Sequence, residues 1–424
     1  MKNREIKNYE NKEQAIEALM GEHVIIESLL DNDLYKFTMQ QYAFHNNPDD
    51  VVKYRFKCRT DKNILHLKEI IEHQIKKYCE LSFKKEELEY LSQMEGFESD
   101  YIEFLSGLNH SFSDVSIFEE DEDLMIEIEG LWTHTILMEV PFLAIVNGVE
   151  TILEATENGG VKCYVENGLK KLDEKIKEIK ENNLRGNQIK LVEFGVRRRF
   201  YGFNYQFLLN ERLNDEIPGN YLGASNVLLG KELGVKVYGT MAHEYLQAAQ
   251  AISSPEESQD FAFKSWLKEY KGKLAVALSD IYGNEAFFAD FSKELASVYD
   301  GLRHDSGDPF RWGDMVLSFY RKNGINPKEK TVMFSDGLNV GKALELNDAF
   351  RRDINVVFGI GTNITNDTGI KPLSIVIKMV SFNNKPVAKV SNDMGKTMCK
   401  DENYMSKLKE IIKNKKKKYE ELYG

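Results

Sequence analysis

Chemistry-bearing residues in this sequence gather where short apolar runs end. In 238-YGTMAHEYLQAAQ-250, His243 follows an apolar run and stands at the start of a helical pattern. A neutral imidazole is a good nucleophile at pH 7 and can take a phosphoryl group. Thr240 and the flanking amides could orient the ring or bind a substrate. A histidine near a helix start is also commonly a capping or core residue, so the pattern leaves a catalytic and a structural interpretation open.

A second group of reactive side chains lies in 301-GLRHDSGDP-309. Arg303 can hold a carboxylate through two parallel hydrogen bonds. Asp305 and Asp308 are spaced to hold a sugar diol or Mg²⁺, which prefers carboxylates and substrate oxygens. A plain turn with a surface ion pair would use the same residue types, so this segment alone does not decide between the two interpretations.

Two glycine-containing loops could bind an anion through their backbone amides. They are 335-SDGLN-339, with Asp336 and Gly337, and 358-FGIGTN-363, with Gly361 and Thr362. Backbone amides in such loops bind phosphate without net positive charge. The glycines could also serve only to permit turns. The second loop lacks the third glycine of G-x-G-x-x-G, so the pattern does not support a dinucleotide-binding fold.

Three consecutive arginines follow another apolar run, in 193-EFGVRRRFYG-202. Arg197, Arg198 and Arg199 cannot all face a core, so some of them should lie at the surface or in a phosphate or carboxylate site. Phe194 could stack on an aromatic ring. A solvated basic turn is the alternative for this segment.

The elements that must position these residues are strand–turn–helix units. From about Lys190 onward, short apolar runs each end in a Gly-rich or polar turn, and a helical pattern follows. The runs end in 191-LVEFGVRRR-199, 235-VKVYGTMAH-243, 274-LAVALSD-280, 298-VYDGLRHDSGD-308, 332-VMFSDG-337 and 356-VVFGIGTN-363. Such repeats make a parallel sheet with right-handed crossovers. Six or more units predict an α/β barrel or a large part of one, with its active site on loops at the C-terminal strand ends.

The first 150 or so residues have a different texture. Residues 33–46 predict a helix with an aromatic face, and residues 51–59 alternate as a strand does. We therefore expect an N-terminal α+β domain over residues 1–150, which residues 380–424 could complete. A barrel-like α/β domain is expected over residues 151–380.

Composition excludes several classes of protein. The 424 residues carry a net charge of −12 with a pI near 5.4, and non-specific binding to nucleic acid or an anionic membrane needs a basic surface. The four cysteines lack the spacing of a metal knuckle or redox pair, which is typical of reduced thiols in a cytoplasmic protein. The apolar stretch 131–153 is interrupted by Pro141 and Glu139, so it predicts a buried element and not a membrane span.

Taken together, these motifs resemble the nicotinate phosphoribosyltransferase family. The segments that carry the resemblance are 30-LDNDLYKFTMQQ-41, 193-EFGVRRR-199, 239-GTMAHEYLQA-248, 301-GLRHDSGDP-309, 335-SDGLN-339 and 358-FGIGTN-363, in the order of the family. The resemblance implies a type II phosphoribosyltransferase barrel and a reaction of nicotinate with phosphoribosyl pyrophosphate. The products would be nicotinate mononucleotide and pyrophosphate, a step of NAD salvage. ATP hydrolysis would be coupled to this step through a phosphohistidine, and Mg²⁺ would accompany the phosphate substrates.

The resemblance also implies roles at the base. His243 would be the phosphohistidine, and Thr240 would contact nicotinate. Arg303 would face the pyridine carboxylate, while Tyr35 and Phe194 would sandwich the ring. In related folds the tyrosine comes from the neighbouring subunit, so a homodimer is expected.

For the sugar and phosphates, the resemblance implies a second set of roles. Arg197 would lie beside the base, and Asp305 would orient the base or ribose. Asp33 would lie near the pyrophosphate. The ribose phosphate would be held by a cradle of four residues, Asp336, Gly337, Gly361 and Thr362.

Three alternatives stay open. Nicotinamide phosphoribosyltransferase would use an uncharged base, which a carboxylate-selective pocket disfavours. Quinolinate phosphoribosyltransferase would need a pocket richer in Lys and Arg for two carboxylates. A non-catalytic ligand sensor on the same barrel would keep the phosphate loops and lose His243, Arg303 or Asp305, all of which are present.

Overall fold

The structure, a computed structural model, describes residues 5–390 and 398–423. Within this part of the chain, two separate sheets organise the fold. The strands are β1 (Val51–Cys58), β2 (Val115–Glu120), β3 (Asp123–Leu131), β4 (Leu191–Glu193), β5 (Tyr221–Ala224), β6 (Lys236–Val237), β7 (Val276–Leu278), β8 (Gly301–His304), β9 (Thr331–Phe334), β10 (Asn355–Ile360), β11 (Ile375–Phe382) and β12 (Lys385–Pro386).

Helices surround both sheets. They are α1 (Lys12–Leu19), α2 (Leu34–Asn46), α3 (Lys68–Cys79), α4 (Lys85–Ser92), α5 (Ser99–Ser106), α6 (Trp132–Thr135), α7 (Glu139–Glu157), α8 (Val161–Leu184), α9 (Phe203–Glu216), α10 (Val227–Leu233), α11 (His243–Ile252), α12 (Ser258–Glu269), α13 (Asn284–Asp290), α14 (Lys293–Val298), α15 (Pro309–Lys322), α16 (Val340–Phe350), α17 (Thr362–Thr365) and α18 (Glu402–Tyr423). Short 3₁₀ turns lie at Leu65–Leu67, Phe112–Asp114, Ile136–Met138, Val196–Arg198 and Pro327–Glu329.

The antiparallel sheet has the strand order β12-β11-β1-β3-β2. Its central strand β1 alternates as the sequence predicts, with Val52, Tyr54 and Phe56 buried and the intervening residues more exposed. One neighbour, β3, is close in sequence, but the other, β11, arrives late in the chain and pairs Val52 with Phe382. The N-terminal sheet therefore depends on a strand that follows all the parallel ones.

The second sheet is parallel and curled, with the order β6-β5-β4-β10-β9-β8-β7. The six predicted apolar runs supply β4, β6, β7, β8, β9 and β10, so the α/β barrel-like fold with a separate α+β portion is confirmed. Strands β6 and β7 form the two edges of this half-barrel. Consecutive parallel strands need crossover helices, and α9, α10 and α15 are among those that provide them.

The seventh parallel strand, β5, has no counterpart among the predicted runs. It is only four residues long and contains Gly223, whose φ is +142°. A Cβ at Gly223 would lie 1.9 Å from the carbonyl oxygen of Lys236 on β6, so the close approach of the two strands requires glycine. A glycine inside a short run weakens the strand pattern that sequence reasoning depends on.

The apolar stretch after β3 is a core helix. The helical stretch 132–157 has the length and composition to cross a membrane, and 94% of its most apolar window is buried in the fold. Such burial is the mark of an interior helix, as the sequence predicts. The part of the chain that the structure describes contains no other stretch of this kind.

The end of the chain is divided between the two sheets. Strands β11 and β12 belong to the antiparallel sheet, and β11 already begins at Ile375, before the predicted boundary at 380. The terminal helix α18 instead packs against α13, on the side of the parallel sheet. The division of the chain into domains at residues 150 and 380 stays a prediction.

Candidate active site

Most of the predicted site residues converge at the carboxyl ends of the parallel strands. A cavity of about 380 Å³ lies there, which is within the usual range for small-molecule sites. The predicted residues that line it are Asp33, Tyr35, Phe194, Arg197, Arg303, Asp305, Gly337, Gly361 and Thr362. We call this cavity the main pocket. Loops that are far apart in the sequence meet here because parallel strands present their carboxyl ends at one edge.

His243 lies in a smaller cavity of about 100 Å³ beside the main pocket. The two cavities share four lining residues, Tyr35, Arg197, Arg303 and Asp305. Helix α11 begins at His243, and its N-cap residue, Ala242, makes no side-chain capping bond. The N-cap position thus belongs to Ala242 and not to His243. The side chain of His243 is 19% exposed, so it is not sealed in the core.

Asp280 holds the imidazole from one side. Nε2 of His243 lies 2.6 Å from one carboxylate oxygen of Asp280, while Lys389 and Ser306 donate to the other oxygen at 2.6 and 2.7 Å. A carboxylate can only accept there, so we assign the proton to Nε2. The ammonium of Lys389 also lies 2.8 Å from this nitrogen, and in this assignment it donates to the Asp280 oxygen and not to Nε2. Nδ1 is then the nitrogen with a lone pair, and it faces Asp305 at 3.7 Å.

The charges of this cluster favour a neutral imidazole beside an ionised carboxylate. Burial and the nearby Lys389 ammonium lower the pKa of His243, although Asp280 and Asp305 act in the opposite direction. Burial alone would raise the pKa of Asp280, but His243 and Lys389 hold it well below the usual value. At neutral pH, His243 can therefore act as a nucleophile through Nδ1.

The aromatic pair of the main pocket is built by close packing. Phe194 continues from β4, and its backbone N–H donates to the carbonyl of Ile360 at 2.9 Å. A Cβ at Gly359 would lie 2.4 Å from the Phe194 ring, so this glycine makes room for the aromatic side chain. Tyr35 enters from the first turn of α2, where the N–H of Leu34 donates to the carbonyl of Ser225 at 2.8 Å.

Tyr35 differs from what the family resemblance implies. It lines the pocket of its own chain, held there by the pairing of Asp33 with Asn226 at the end of β5. The pocket of a single chain thus already contains a tyrosine, and the expected homodimer stays a prediction. Asp33 itself is buried, which raises its pKa, and it accepts a hydrogen bond from Ser225 at 2.6 Å.

Two of the three consecutive arginines face the main pocket and the third does not. Arg197 and Arg198 line the pocket. Burial and the charge of Arg197 lower the pKa of Arg198 to about 10. Arg199 is fully buried and pairs with both oxygens of Asp31, at 2.6 and 2.5 Å. Two adjacent guanidinium groups in one pocket favour an anionic ligand.

Arg303 and Asp305 extend from the end of β8 into both cavities. Their closest atoms, Nη2 of Arg303 and Oδ2 of Asp305, are 3.6 Å apart. Burial would raise the pKa of Asp305, but Arg303 and His243 lower it. The Nε of Arg303 is buried and has no hydrogen-bond partner among the described residues. Arg303 therefore retains donor capacity that an anionic ligand could use.

Thr240 and Asp336 do not line the main pocket. The hydroxyl of Thr240 donates to the carbonyl of Val276 at 3.0 Å, and Thr240 lines a second cavity of about 930 Å³ that adjoins the main pocket at Tyr238 and Gly239. Asp336 is exposed, although the next residue, Gly337, lines the pocket. The predicted contacts of Thr240 with nicotinate and of Asp336 with a ribose phosphate stay predictions.

Within the cluster around His243, one carboxylate suits a metal ion. His243, Asp280 and Asp305 offer ligand atoms within 4.8 Å of one another. The oxygens of Asp280, however, are already held by His243, Lys389 and Ser306. Mg²⁺ prefers oxygen ligands and usually combines one or two carboxylates with substrate phosphates. Asp305, which lines the main pocket, is the carboxylate that fits this pattern.

Sequence reasoning missed Asp280, Lys389 and Ser225. Asp280 ends the apolar run 274-LAVALSD-280, so the strand-end pattern that led to Arg303 could also have led to it. Ser225 follows β5, the strand that was not predicted. Lys389 follows the short strand β12, outside the strand–turn–helix units, and no motif marks it.

A parallel half-barrel with glycine loops and arginines at its carboxyl edge is typical of enzymes that have a phosphate-binding site there. The model of the nicotinate phosphoribosyltransferase family matches residues 189–416, and the model of its N-terminal domain matches residues 30–147. The chain belongs to the nicotinate phosphoribosyltransferase family.

Individual relatives agree with this assignment. The nicotinate phosphoribosyltransferase of Acidovorax sp. (strain JS42) is 43% identical over 400 residues, covering 92% of this chain and 98% of the relative. That of Chromobacterium violaceum is 42% identical over 397 residues, covering 92% and 97%. The crystal structure of nicotinate phosphoribosyltransferase from Vibrio cholerae has a TM-score of 0.88 at 35% identity and covers 93% of this chain and 96% of its own.

Proposed function

We propose that this enzyme joins nicotinate to phosphoribosyl pyrophosphate, giving nicotinate mononucleotide and pyrophosphate, and that His243 couples ATP hydrolysis to this step. The observation that carries the proposal is the convergence of an aromatic pair, arginines and glycine loops in one pocket, with an imidazole in the adjoining cavity. The product would enter NAD biosynthesis, and we place the reaction in the cytoplasm.

The base would bind between Tyr35 and Phe194, which supply two aromatic faces in the main pocket. Its carboxylate would accept hydrogen bonds from Arg303, whose buried Nε makes no bond to a described residue. Arg197 adds positive charge at the same end of the pocket. A neutral amide would gain less from these cations, so nicotinate should be preferred to nicotinamide.

The sugar phosphate would bind at the opposite loops. Gly361 and Thr362 open the helical turn α17, whose first amides have no partner within the turn. Gly337 lines the same side and has a φ of +58°, a left-handed conformation that glycine adopts readily. Mg²⁺, held by Asp305 and substrate oxygens, would neutralise the departing pyrophosphate. As the bond from the ribose C1 to pyrophosphate breaks, positive charge develops at C1, and Asp305 can stabilise it.

His243 would be phosphorylated at Nδ1. This nitrogen forms a bond to the γ-phosphorus of ATP, and the bond from that phosphorus to the β–γ bridging oxygen breaks, so that ADP leaves. The imidazole becomes cationic as it reacts, and the ionised Asp280 stabilises it through the proton on Nε2. Hydrolysis of the phosphohistidine then returns the neutral ring and releases phosphate.

The test is incubation of the purified protein with nicotinate, phosphoribosyl pyrophosphate and Mg²⁺, with and without ATP. Mass analysis should find the mononucleotide in both cases, with more product and a phosphorylated imidazole when ATP is present. Substituting nicotinamide should give much less product. Without any release of pyrophosphate, the chain would be a ligand sensor.

His243→Ala separates synthesis from ATP use. The variant should retain slow synthesis that ATP does not stimulate, because the transfer pocket is intact and only the phosphoryl acceptor is missing. Product and ADP are measured in the same reaction mixture. If the variant still hydrolysed ATP in step with product formation, the assignment of His243 as the phosphoryl acceptor would be wrong.

A further inference from the structure

The loop that leads to His243 lies directly on the first turns of α2, the helix that carries Tyr35. A Cβ at Gly239 would lie 2.7 Å from the backbone nitrogen of Tyr35, so the two segments are in close contact. The hydroxyl of Thr38 donates to the carbonyl of Thr240 at 2.6 Å. These two contacts hold the loop against the first turns of the helix.

A buried ion cluster joins the same two elements one residue further on. Lys36 has no exposed side-chain surface, and its ammonium contacts the carboxylates of Glu139 and Glu244. Glu244 also accepts hydrogen bonds from the hydroxyl of Tyr54 and from the indole of Trp132, the latter at 2.7 Å. A buried charge cluster with its partners satisfied has one well-defined geometry, because breaking any part leaves an uncompensated charge.

Two residues of this cluster are sequence neighbours of proposed site residues. Lys36 directly follows Tyr35, and Glu244 directly follows His243. The ion pair therefore connects the backbone at the proposed stacking ring to the backbone at the proposed phosphoryl acceptor.

We propose that Lys36, Thr38 and Glu244 are positioning residues that hold Tyr35 and His243 in a fixed relation, so that base binding and ATP use depend on each other. This inference rests on the proposed function. Coupling between two sites is reciprocal in binding free energy, so weakening the connection should lower the effect of ATP on nicotinate binding. Catalysis at the ribose carbon should change much less, since none of the three residues lines the main pocket.

The sharpest test is the pair Thr38→Val and Thr38→Ser. Valine matches threonine in shape but lacks the hydroxyl, whereas serine keeps it. In Thr38→Val, we expect the ratio of the nicotinate KM without ATP to the KM with ATP to fall by about tenfold, the equivalent of one hydrogen bond. More ATP should be hydrolysed per product, and kcat without ATP should stay within about twofold of the unmodified protein. Thr38→Ser should retain the ratio of the unmodified protein.

A second pair of variants guards against a failure to fold. Glu244→Gln and Glu139→Gln each remove one carboxylate charge from Lys36, but only Glu244 lies on the helix that begins at His243. We expect the KM ratio to fall more in Glu244→Gln than in Glu139→Gln. Equal effects, or a Thr38→Val ratio equal to that of the unmodified protein, would overturn the inference. If the unmodified protein made no mononucleotide, the proposed function itself would be wrong, and the inference, which rests on it, would be wrong as well.

Discussion

At the scale of single residues, Asp280 decides which nitrogen of His243 can react. Because it accepts the proton of Nε2, the lone pair lies on Nδ1, toward the cavity that Arg303 and Asp305 share. Without an ionised partner at Nε2, the imidazole could adopt either tautomer, and the cation formed during phosphorylation would lose its stabilising charge.

Asp280→Asn should therefore lower the ATP-stimulated rate by about 100-fold, a typical loss when one preorganised electrostatic partner of a developing charge is removed. The ATP-independent rate should change little, because Asp280 does not line the main pocket. Both rates are measured as mononucleotide formed, with and without ATP. Equal losses of the two rates would show that Asp280 has a structural role only.

Gly359 leaves room for the Phe194 ring because it has no side chain. Gly359→Ala would place a methyl group 2.4 Å from the Phe194 ring, and overpacking a closed site costs about 1–3 kcal/mol. We expect a lower free energy of unfolding in urea and a higher KM for nicotinate. Gly107→Ala is the matched control, because its Cβ would meet nothing closer than 3.8 Å. An unchanged KM in Gly359→Ala would contradict the role given to Phe194.

The rule that active-site residues follow the carboxyl ends of parallel strands predicted most residues of the pocket. It missed some of them for a physical reason. Arg303, Asp305 and Thr362 were found because each follows an apolar run, and the carboxyl ends of parallel strands must meet. Tyr35 lies on α2 and Asp33 is the N-cap residue of that helix. Helix α2 belongs to no such unit, and only the family resemblance pointed to these residues. Lys389 reaches His243 through tertiary packing, which leaves no local pattern.

At the scale of elements, a buried polar network anchors the loop after β4. The carboxylate of Glu193 accepts the N–H of Gly195 and hydrogen bonds from Gln206 and Asn210 of helix α9, at 2.7 and 3.0 Å. Glu193 is fully buried, and burial raises its pKa from 4.5 to about 7 although these bonds oppose the change. The strand that carries Phe194 is thus held by a carboxyl group that titrates near neutral pH.

This network predicts a pH dependence of stability. The folded protein binds the proton of Glu193 more tightly than the unfolded chain does, so its contribution is complete below pH 4.5 and is lost as the pH rises to about 7. The loss through this group is about 3 kcal/mol at 1.36 kcal/mol per pKa unit. In Glu193→Gln, urea unfolding between these pH values should show a shallower decline than in the unmodified protein. Parallel curves would contradict the assignment.

Helix boundaries were predictable where glycine ends the helix. Gly234 follows α10 and Gly324 lies just beyond α15, and both have left-handed φ values, +67° and +70°. Such glycines terminate helices at low cost in strain. Strand β5 could not be predicted in the same way, because its own glycine serves close packing against β6 and not a turn.

At the scale of the whole molecule, one chain supplies both sides of the aromatic pair. Mixing two inactive variants, Tyr35→Ala and Arg303→Ala, should therefore restore no activity. If the tyrosine came from a neighbouring subunit, mixed dimers would contain one intact site and regain part of the rate. Mononucleotide formation by the mixture is compared with that of each variant alone. Restored activity would contradict the single-chain pocket.

The pairing of β1 with β11 determines when the edge of β1 is covered during protein synthesis. One edge of β1 stays open on the nascent chain until Ile375–Phe382 has left the ribosome, after every strand of the parallel sheet has been made. An open strand edge invites pairing with other chains. During translation the antiparallel sheet therefore stays incomplete longer than the parallel one. Strand β11 covers the open edge of β1, and so protects it from aggregation, only after residues 375–382 have emerged.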